Sequence, residues 1–477
     1  MADSKGESKS IFDSIEEGVK EYWAWILAAL ALYFIFVFHL EYTLLSWILP
    51  FVGVIILGRI AWTMWVHYVQ QDFISGIDFV LLEIIPPREV LRSPKAMELF
   101  ITNALFHFSY KGGKEEFWQG AVWFWFSLEI ASIDGQVHFY IRTPTRLREL
   151  IETQMYAQYP QAQVKAVEDY TLAVPEITPE SEWNGWGCEF ALKRPEAFPL
   201  KTYVDFGLDK DPKEEFKVDP VSPVVELFGS LKKGEQMWMQ IVVTPSKKMY
   251  HKKGTWFGKH DWVEEARQEL FKLLKDYTAV KGKGNATQGM ASVKDLGKDS
   301  RVEIRVPDFL KRAVERMNQK VSKLGFDTGI RVMYVAKKEK FDMSNRRNIR
   351  LIFRQYDAPD INGLTRVNST QADAFNSSFF SLSPKKIMIL ANRMLHEYRE
   401  RGFFHLPMRH ILNNHNISGL PLIILKQFWL PYFHPPTYVL NAEEIATLWH
   451  FPGQIMRVPT LERIESKEAS PPPNLPI

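Results

Sequence analysis

Two apolar runs open the chain. Residues 22–38, YWAWILAALALYFIFVF, carry no charge; residues 44–58, LLSWILPFVGVIILG, continue through Arg59 into IAWTMWV. Each approaches the ~20 residues that an α-helix needs to cross a bilayer. Only HLEYT separates them, so the pattern predicts a transmembrane helical hairpin over 21–69, with a short turn on the far side and a polar tail at 1–20. Trp23, Trp25, Trp62 and Trp65 flank the runs as interfacial anchors do, and Arg59 can snorkel to the surface. A cleaved signal peptide fits poorly, because Asp3, Glu7, Asp13, Glu16 and Glu17 precede the first run and no small-residue cleavage site follows it. Pro50, Gly53 and Gly58 in the second run are better tolerated in a membrane helix than in a soluble one.

Past residue 70 the periodicity changes. DFVLLEIIPP reads as a buried strand, and SPKAMELFITNALFHF as a helix entered through Ser93 and Pro94, with Met97, Ile101, Ala104 and Phe108 at helical spacing. WFSLEIAS and QVHFYIR alternate, placing Phe126, Leu128, Ile130, Val137, Phe139 and Ile141 inward, and Asp134-Gly135 between them is a hairpin turn signal. RLRELIETQMYAQYP sets Leu147, Leu150, Ile151 and Met155 on one stripe, and AQVKAVEDY closes as a strand. The order β-α-β-β-α-β predicts a ferredoxin-like domain at 70–175. A second, looser copy is expected at 176–345, with WGCEFALKRP, QMWMQIVVTP and GIRVMYVAKKEK as strands and WVEEARQELFKLLKDY as an inserted helix. Residues 280–299 are polar and Gly-rich and read as a loop. A mainly helical, irregular region is expected at 346–452, where Asn441 and Glu444 form a capping box, and a Pro-rich linker at 453–477. The fold class is therefore α+β behind a membrane hairpin.

Composition refines this picture modestly. Of 477 residues 46% are hydrophobic and 24% charged, enough for real cores. The net charge of +3 points to no partner by itself. Cys188 is the single cysteine, so no internal disulfide forms, which fits a reducing compartment. It lies in an alternating run and reads as a buried structural residue rather than a catalytic thiol. The turn between the apolar runs lacks Lys and Arg, while the tail holds Lys5, Lys9 and Lys20, so the positive-inside rule places both ends and the body in the cytoplasm, at the inner membrane.

Catalytic signatures are missing from the sequence: it holds no phosphate-loop motif, H-E-x-x-H, C-x-x-C or G-x-S-x-G. His396, His405, His410 and His415 do not share a helical face, and scattered packing or solvated histidines are the better reading than zinc ligands. His138, Tyr140 and Arg142 share the outward face of a strand, which is often polar for solubility alone. No catalytic, cofactor or metal residue is assigned. Two basic clusters, Lys247, Lys248, Lys252 and Lys253 near Trp256 and Phe257, and Lys337, Lys338, Lys340, Arg346 and Arg347, suit anionic headgroups or nucleic acid. Headgroups rank first for a tethered protein.

Three blocks carry a family likeness: FSLEIASIDGQVHFYIRTP with LRELIETQMYAQYPQAQVKAVEDY; FPLKTYVDFGLD with DPVSPVVELFGSLKKGEQMWMQIVV; and LNAEEIATLWHFP with VPTLERIESKEASPPPNLP. The chain resembles, over most of residues 44–477, the membrane-anchored region that precedes the ATPase in type IV secretion-like, coupling-protein-type proteins of candidate-phyla bacteria. In that family the closing linker leads into the motor, which is not present here, so no ATP-binding residue carries over. The resemblance implies a non-catalytic, membrane-anchored docking subunit of a secretion- or conjugation-like apparatus, partnered by a separate ATPase, with homo-oligomerisation and nucleic acid left open. The rivals are a membrane-tethered nucleic-acid-binding protein and a membrane-anchored hydrolase using the histidine-rich region.

Overall fold

The computed structural model describes residues 29–33, 42–87, 90, 92–107, 112–209, 218–246, 261–275, 278–281, 301–304, 308–370, 384–405 and 436–453. The chain forms two compact units, divided between Val69 and Gln70.

Helix α1 (Tyr42–Ser75) begins in the first unit, within the turn expected at 39–43, and its residues from Gln70 on belong to the second. Its stretch Pro50–Ser75 is long and apolar enough to cross a membrane, and an 18-residue window within it has a mean hydropathy of 1.4. Arg59, Trp62 and Trp65 are exposed on it. Residues 29–33 of the first apolar run are helical. The rest of that run, including Trp23 and Trp25, lies outside the described residues.

The body is built on one large antiparallel sheet. Its strands are β1 (Phe79–Ile85), β2 (Phe126–Ile133), β3 (Gln136–Pro144), β4 (Gln163–Val167), β5 (Trp183–Leu192), β6 (Glu235–Pro245), β9 (Gly325–Lys337), β10 (Leu364–Val367) and β11 (Tyr438–Asn441). Strands β7 (Thr278–Lys281) and β8 (Arg301–Ile304) pair apart from it. The order across the sheet is β4-β1-β3-β2-β6-β9-β5-β10, and β11 pairs with the first residues of β9. Within each half, numbered from its own first strand, the order is fourth, first, third, second. The second strands of the two halves, β2 and β6, meet along their length, from Phe126↔Val243 to Ile133↔Gln236. The boundary expected at 175/176 therefore falls inside a single sheet.

Helices α2 (Lys95–Phe100, continued by a π turn at Ile101–Leu105), α4 (Arg148–Gln158), α5 (Ser222–Gly229), α8 (Asn345–Ile352) and α10 (Ala442–Leu448) pack on one face. Met97, Ile101, Ile151, Met155, Val225, Phe228, Ile349 and Ile445 meet the alternating residues Leu128, Ile130, Phe139, Met239, Ile241, Ile330 and Val332 there. A short helix, α3 (Gly113–Trp118), precedes β2. Helices α6 (Trp262–Lys275) and α7 (Asp308–Val321) flank β7 and β8 as an insertion between β6 and β9. The β2–β3 hairpin turns through Asp134 (φ 54°) and Gly135 (φ 86°); a Cβ on Gly135 would also collide with the Leu231 carbonyl.

The opposite face is covered by α9 (Pro384–Glu400) and by Val174 and Ile177. Close approach is possible because β5 and β9 carry glycines there: a Cβ on Gly187 would sit 2.6 Å from Met394 Cγ, and one on Gly329 would strike the Phe403 ring. The stretch 346–452, expected to be helical and irregular, thus supplies two strands to the sheet as well as α9 and α10. The second half takes its last strand, β10, from beyond the expected boundary at 345.

Candidate functional site

Six strands of the sheet each place a polar residue at matching register. Pairing brings these residues into a single row: Glu83↔Tyr140, Tyr140↔Glu129, Glu129↔Gln240, Gln240↔Arg331 and Arg331↔Glu189. Directly paired residues of antiparallel strands point to the same side, so six adjacent strands present one polar stripe on the face that α9 packs against. Glu129, Gln240, Arg331 and Glu189 are wholly buried.

Buried charge is tolerable only when paired. Arg401, just past α9 and in the left-handed conformation (φ 51°), donates Nε to Glu129 Oε1 at 2.7 Å and Nη1 to Asp169 Oδ2 at 2.6 Å. Ser127 and Tyr170 hydroxyls donate to Glu129 at 2.6 and 2.8 Å, and Gln240 adds a bond at 3.2 Å. The Tyr170 and Tyr398 hydroxyls lie 2.9 Å apart. Beside them, Arg331 binds Glu189 Oε1 through Nε at 3.0 Å and Nη2 at 2.5 Å, and it donates Nη1 to the Glu397 carbonyl. Asn368 donates to the other Glu189 oxygen at 2.6 Å. Burial alone would push the Arg401 guanidinium down; the two carboxylates outweigh it and hold it above its ordinary value. Burial likewise opposes ionisation of Asp169, yet Arg401 and Thr171 hold its carboxyl below the usual range. Burial, with the Glu129 charge next, raises Tyr170 and Tyr398, so both stay protonated.

A second buried set ties the insertion to the last helix. Lys320 of α7 lies 3.0 Å from Glu444 of α10, with both side chains fully buried. Lys323 reaches Glu98 and Glu443 at 2.6 Å each, and Tyr203 donates to Glu98 at 2.6 Å. Asn441 and Glu444 form a complete capping box at the start of α10.

Of the outward residues on β3, Tyr140 is buried and stacks on Tyr170 at 4.8 Å, while His138 binds Glu83 at 2.6 Å. Their polarity serves an interior rather than solvation. Cys188 is buried in the core. His396 lies 3.5 Å from Glu176, and His405 lies against the Trp125 ring. His410 and His415 lie outside the described residues. Among the described residues no group of His, Cys, Asp and Glu is arranged to hold a metal.

Of the basic clusters, Lys247, Lys248, Lys252 and Lys253 lie outside the described residues. Lys337, Lys338 and Lys340 are exposed at the end of β9, with Lys337 3.9 Å from Glu182 and Lys338 donating to the Pro179 carbonyl. Arg346 and Arg347 open α8. The structure extends this cluster to residues that the sequence pattern did not single out. Arg350 and Arg354 continue the exposed side of α8 and the 3-10 turn after it. Arg354 then shares a cleft of about 450 Å3 with Lys193, Arg194, Asp357, Asn362 and Gly363.

A family model described as a domain of unknown function (DUF8128) matches residues 124–378, more than half of the chain. The chain belongs to this family. The DUF8128 match runs from just before β2 to beyond β10, so it takes in the β2–β6 junction, Glu129, Asp169, Gln240, Arg331 and Glu189. It leaves out β1, α9, Arg401 and α10. No curated protein and no solved structure matches the chain.

Proposed function

We propose that this chain is a non-catalytic, membrane-anchored docking subunit of a type IV secretion- or conjugation-like apparatus, acting with a separate ATPase at the inner membrane with its body in the cytoplasm. One observation carries the non-catalytic part. The charged side chains of the buried row, Glu129, Arg401, Asp169, Arg331 and Glu189, bind one another and fasten strands to their cover. A reaction centre needs groups that can reach a substrate; a row whose charged members are bound by their own neighbours acts as framework. The apolar stretch Pro50–Ser75 supports the anchor. The secretion assignment and the ATPase partner rest on the sequence resemblance.

The finer architecture belongs to the same proposal. The fourth-first-third-second strand order in each half, with that half's helices on one face, supports reading the body as two ferredoxin-like units joined through their second strands. Such units offer sheet edges and helix faces for docking. The test is co-purification from gently solubilised membranes, using the full chain and a chain ending at Gly453. The shorter chain keeps Trp449, Phe451 and the Gly453 N–H that donates to Asp219. An ATPase that accompanies the full chain and is lost with the shorter one supports the docking role. Its absence from both preparations would sink the secretion assignment.

A further inference from the structure

The face of α8 that the sheet does not cover is basic along its whole length. At 100° per residue, Arg347, Arg350 and Leu351 fall within about a third of the helix circumference, and Arg354 follows in the 3-10 turn. Asn345, Ile349, Ile352 and Phe353 occupy the opposite side and are buried. Among the described residues Arg347, Arg350 and Arg354 have no carboxylate partner, and no acidic residue occurs between Asp342 and Asp357. Leu351 is 53% exposed in the middle of this patch.

The patch ends at the cleft shared by Arg354, Lys193 and Arg194. The cleft wall is built rigidly. Asn362 is buried and donates to the carbonyls of Arg194, Pro195 and Phe198, knitting the two loops together. Arg194 is pinned by Nη1 bonds to the carbonyls of Asp360 and Ile361 and lies over the Phe198 ring. Asp357 offsets the charge of Lys193, with which it pairs. A positive surcharge remains on a preorganised surface.

We infer that this face of α8, with its cleft, docks on anionic lipid headgroups. The inference rests on the membrane-anchored reading above. A body joined by a short connection to a membrane helix meets headgroups at high effective concentration. Arginine forks match phosphate oxygens, and an exposed leucine among them suits the acyl boundary. Single-stranded nucleic acid is the less suitable occupant: it calls for aromatic stacking platforms, and no large exposed aromatic accompanies these arginines among the described residues.

The experiment uses the full chain in nanodiscs of neutral phosphatidylcholine, or of phosphatidylcholine mixed with phosphatidylglycerol. Cys188 is buried, so Leu351→Cys provides the accessible thiol for an environment-sensitive fluorophore. The label is expected to shift to the blue and gain protection from acrylamide in the anionic discs only, and to lose both at high salt. Each basic residue near an anionic surface contributes roughly fivefold to partition, so the triple reversal R347E/R350E/R354E abolishes the response. Lys272→Gln with Lys311→Gln, exposed on α6 and α7, leaves it unchanged. A label indifferent to phosphatidylglycerol overturns the inference while leaving the anchor intact, as does a label that responds to an added oligonucleotide and not to lipid. Failure of the chain to enter nanodiscs overturns the anchored reading, and this inference with it.

Discussion

Arg401 holds two carboxylates from two parts of the chain, and its removal separates competing accounts of the buried row. If the row is framework, R401M strands Glu129 in an apolar layer, and breaking a buried pair in this way costs about 3–5 kcal/mol. The urea midpoint followed by tryptophan fluorescence should fall accordingly, since Trp238 packs against both Tyr170 and Tyr398. Adding E129Q removes the stranded charge and should recover a substantial part of the loss. An unchanged midpoint in R401M would mean that the row contributes nothing to holding the cover. The sequence displays these residues openly: FSLEIAS, QMWMQIVV, GIRVMYV and WGCEFAL place Glu129, Gln240, Arg331 and Glu189 between apolar neighbours. What it hides is the partner. Arg401 lies 272 positions from Glu129, and nothing local marks a lone arginine after a helix as the counter-ion of a distant strand. His138, Tyr140 and Arg142 suggested a solvated face because the groups that meet them, Glu83, Tyr170 and Phe79, come from other elements.

At the scale of elements, local signals and long-range assembly part company. The Asp134-Gly135 hairpin, the capping box at Asn441 and the amphipathic helices are written in spacings of a few residues, and each is present in the structure. The pairing of β2 with β6 has no such signal, because antiparallel strands more than a hundred residues apart look alike before they meet. Glycines in β5 and β9 were a clue of another kind. A glycine inside a strand weakens it unless another element approaches closely, and Gly187 and Gly329 are where Met394 and Phe403 press on the sheet. G187V should therefore lift α9 rather than break β5, at an overpacking cost of about 1–3 kcal/mol. Hydrogen exchange should quicken across the amides of α9 while the β2–β3 hairpin keeps its protection. Exchange that quickens equally in both would mean that α9 and the sheet open as one.

The whole body is closed by its last described residues, which return to the first half of the sheet. Trp449 packs edge-on against Phe139 at 5.9 Å and donates Nε1 to the Glu129 carbonyl, while Phe451 contacts both Phe139 and Tyr159. Lys320 and Glu444 close the same loop through buried charge. A chain that ends at residue 437 lacks β11, α10, Trp449 and Phe451, and it leaves Lys320 buried without its carboxylate. Deleting one large core aromatic costs about 3–5 kcal/mol, comparable to the net stability of an ordinary domain. Loss of both, with the stranded lysine, should unfold the body, so that near-UV circular dichroism disappears from β1 to β10 together. W449A, a smaller lesion, should keep a single transition and lower its midpoint. The chain ending at Gly453 retains every one of these contacts and should unfold at the same denaturant concentration as the full chain. A chain ending at residue 437 with an intact near-UV spectrum would mean that the two halves stand independently across β2–β6. Their shared sheet would then be an interface between domains rather than one core.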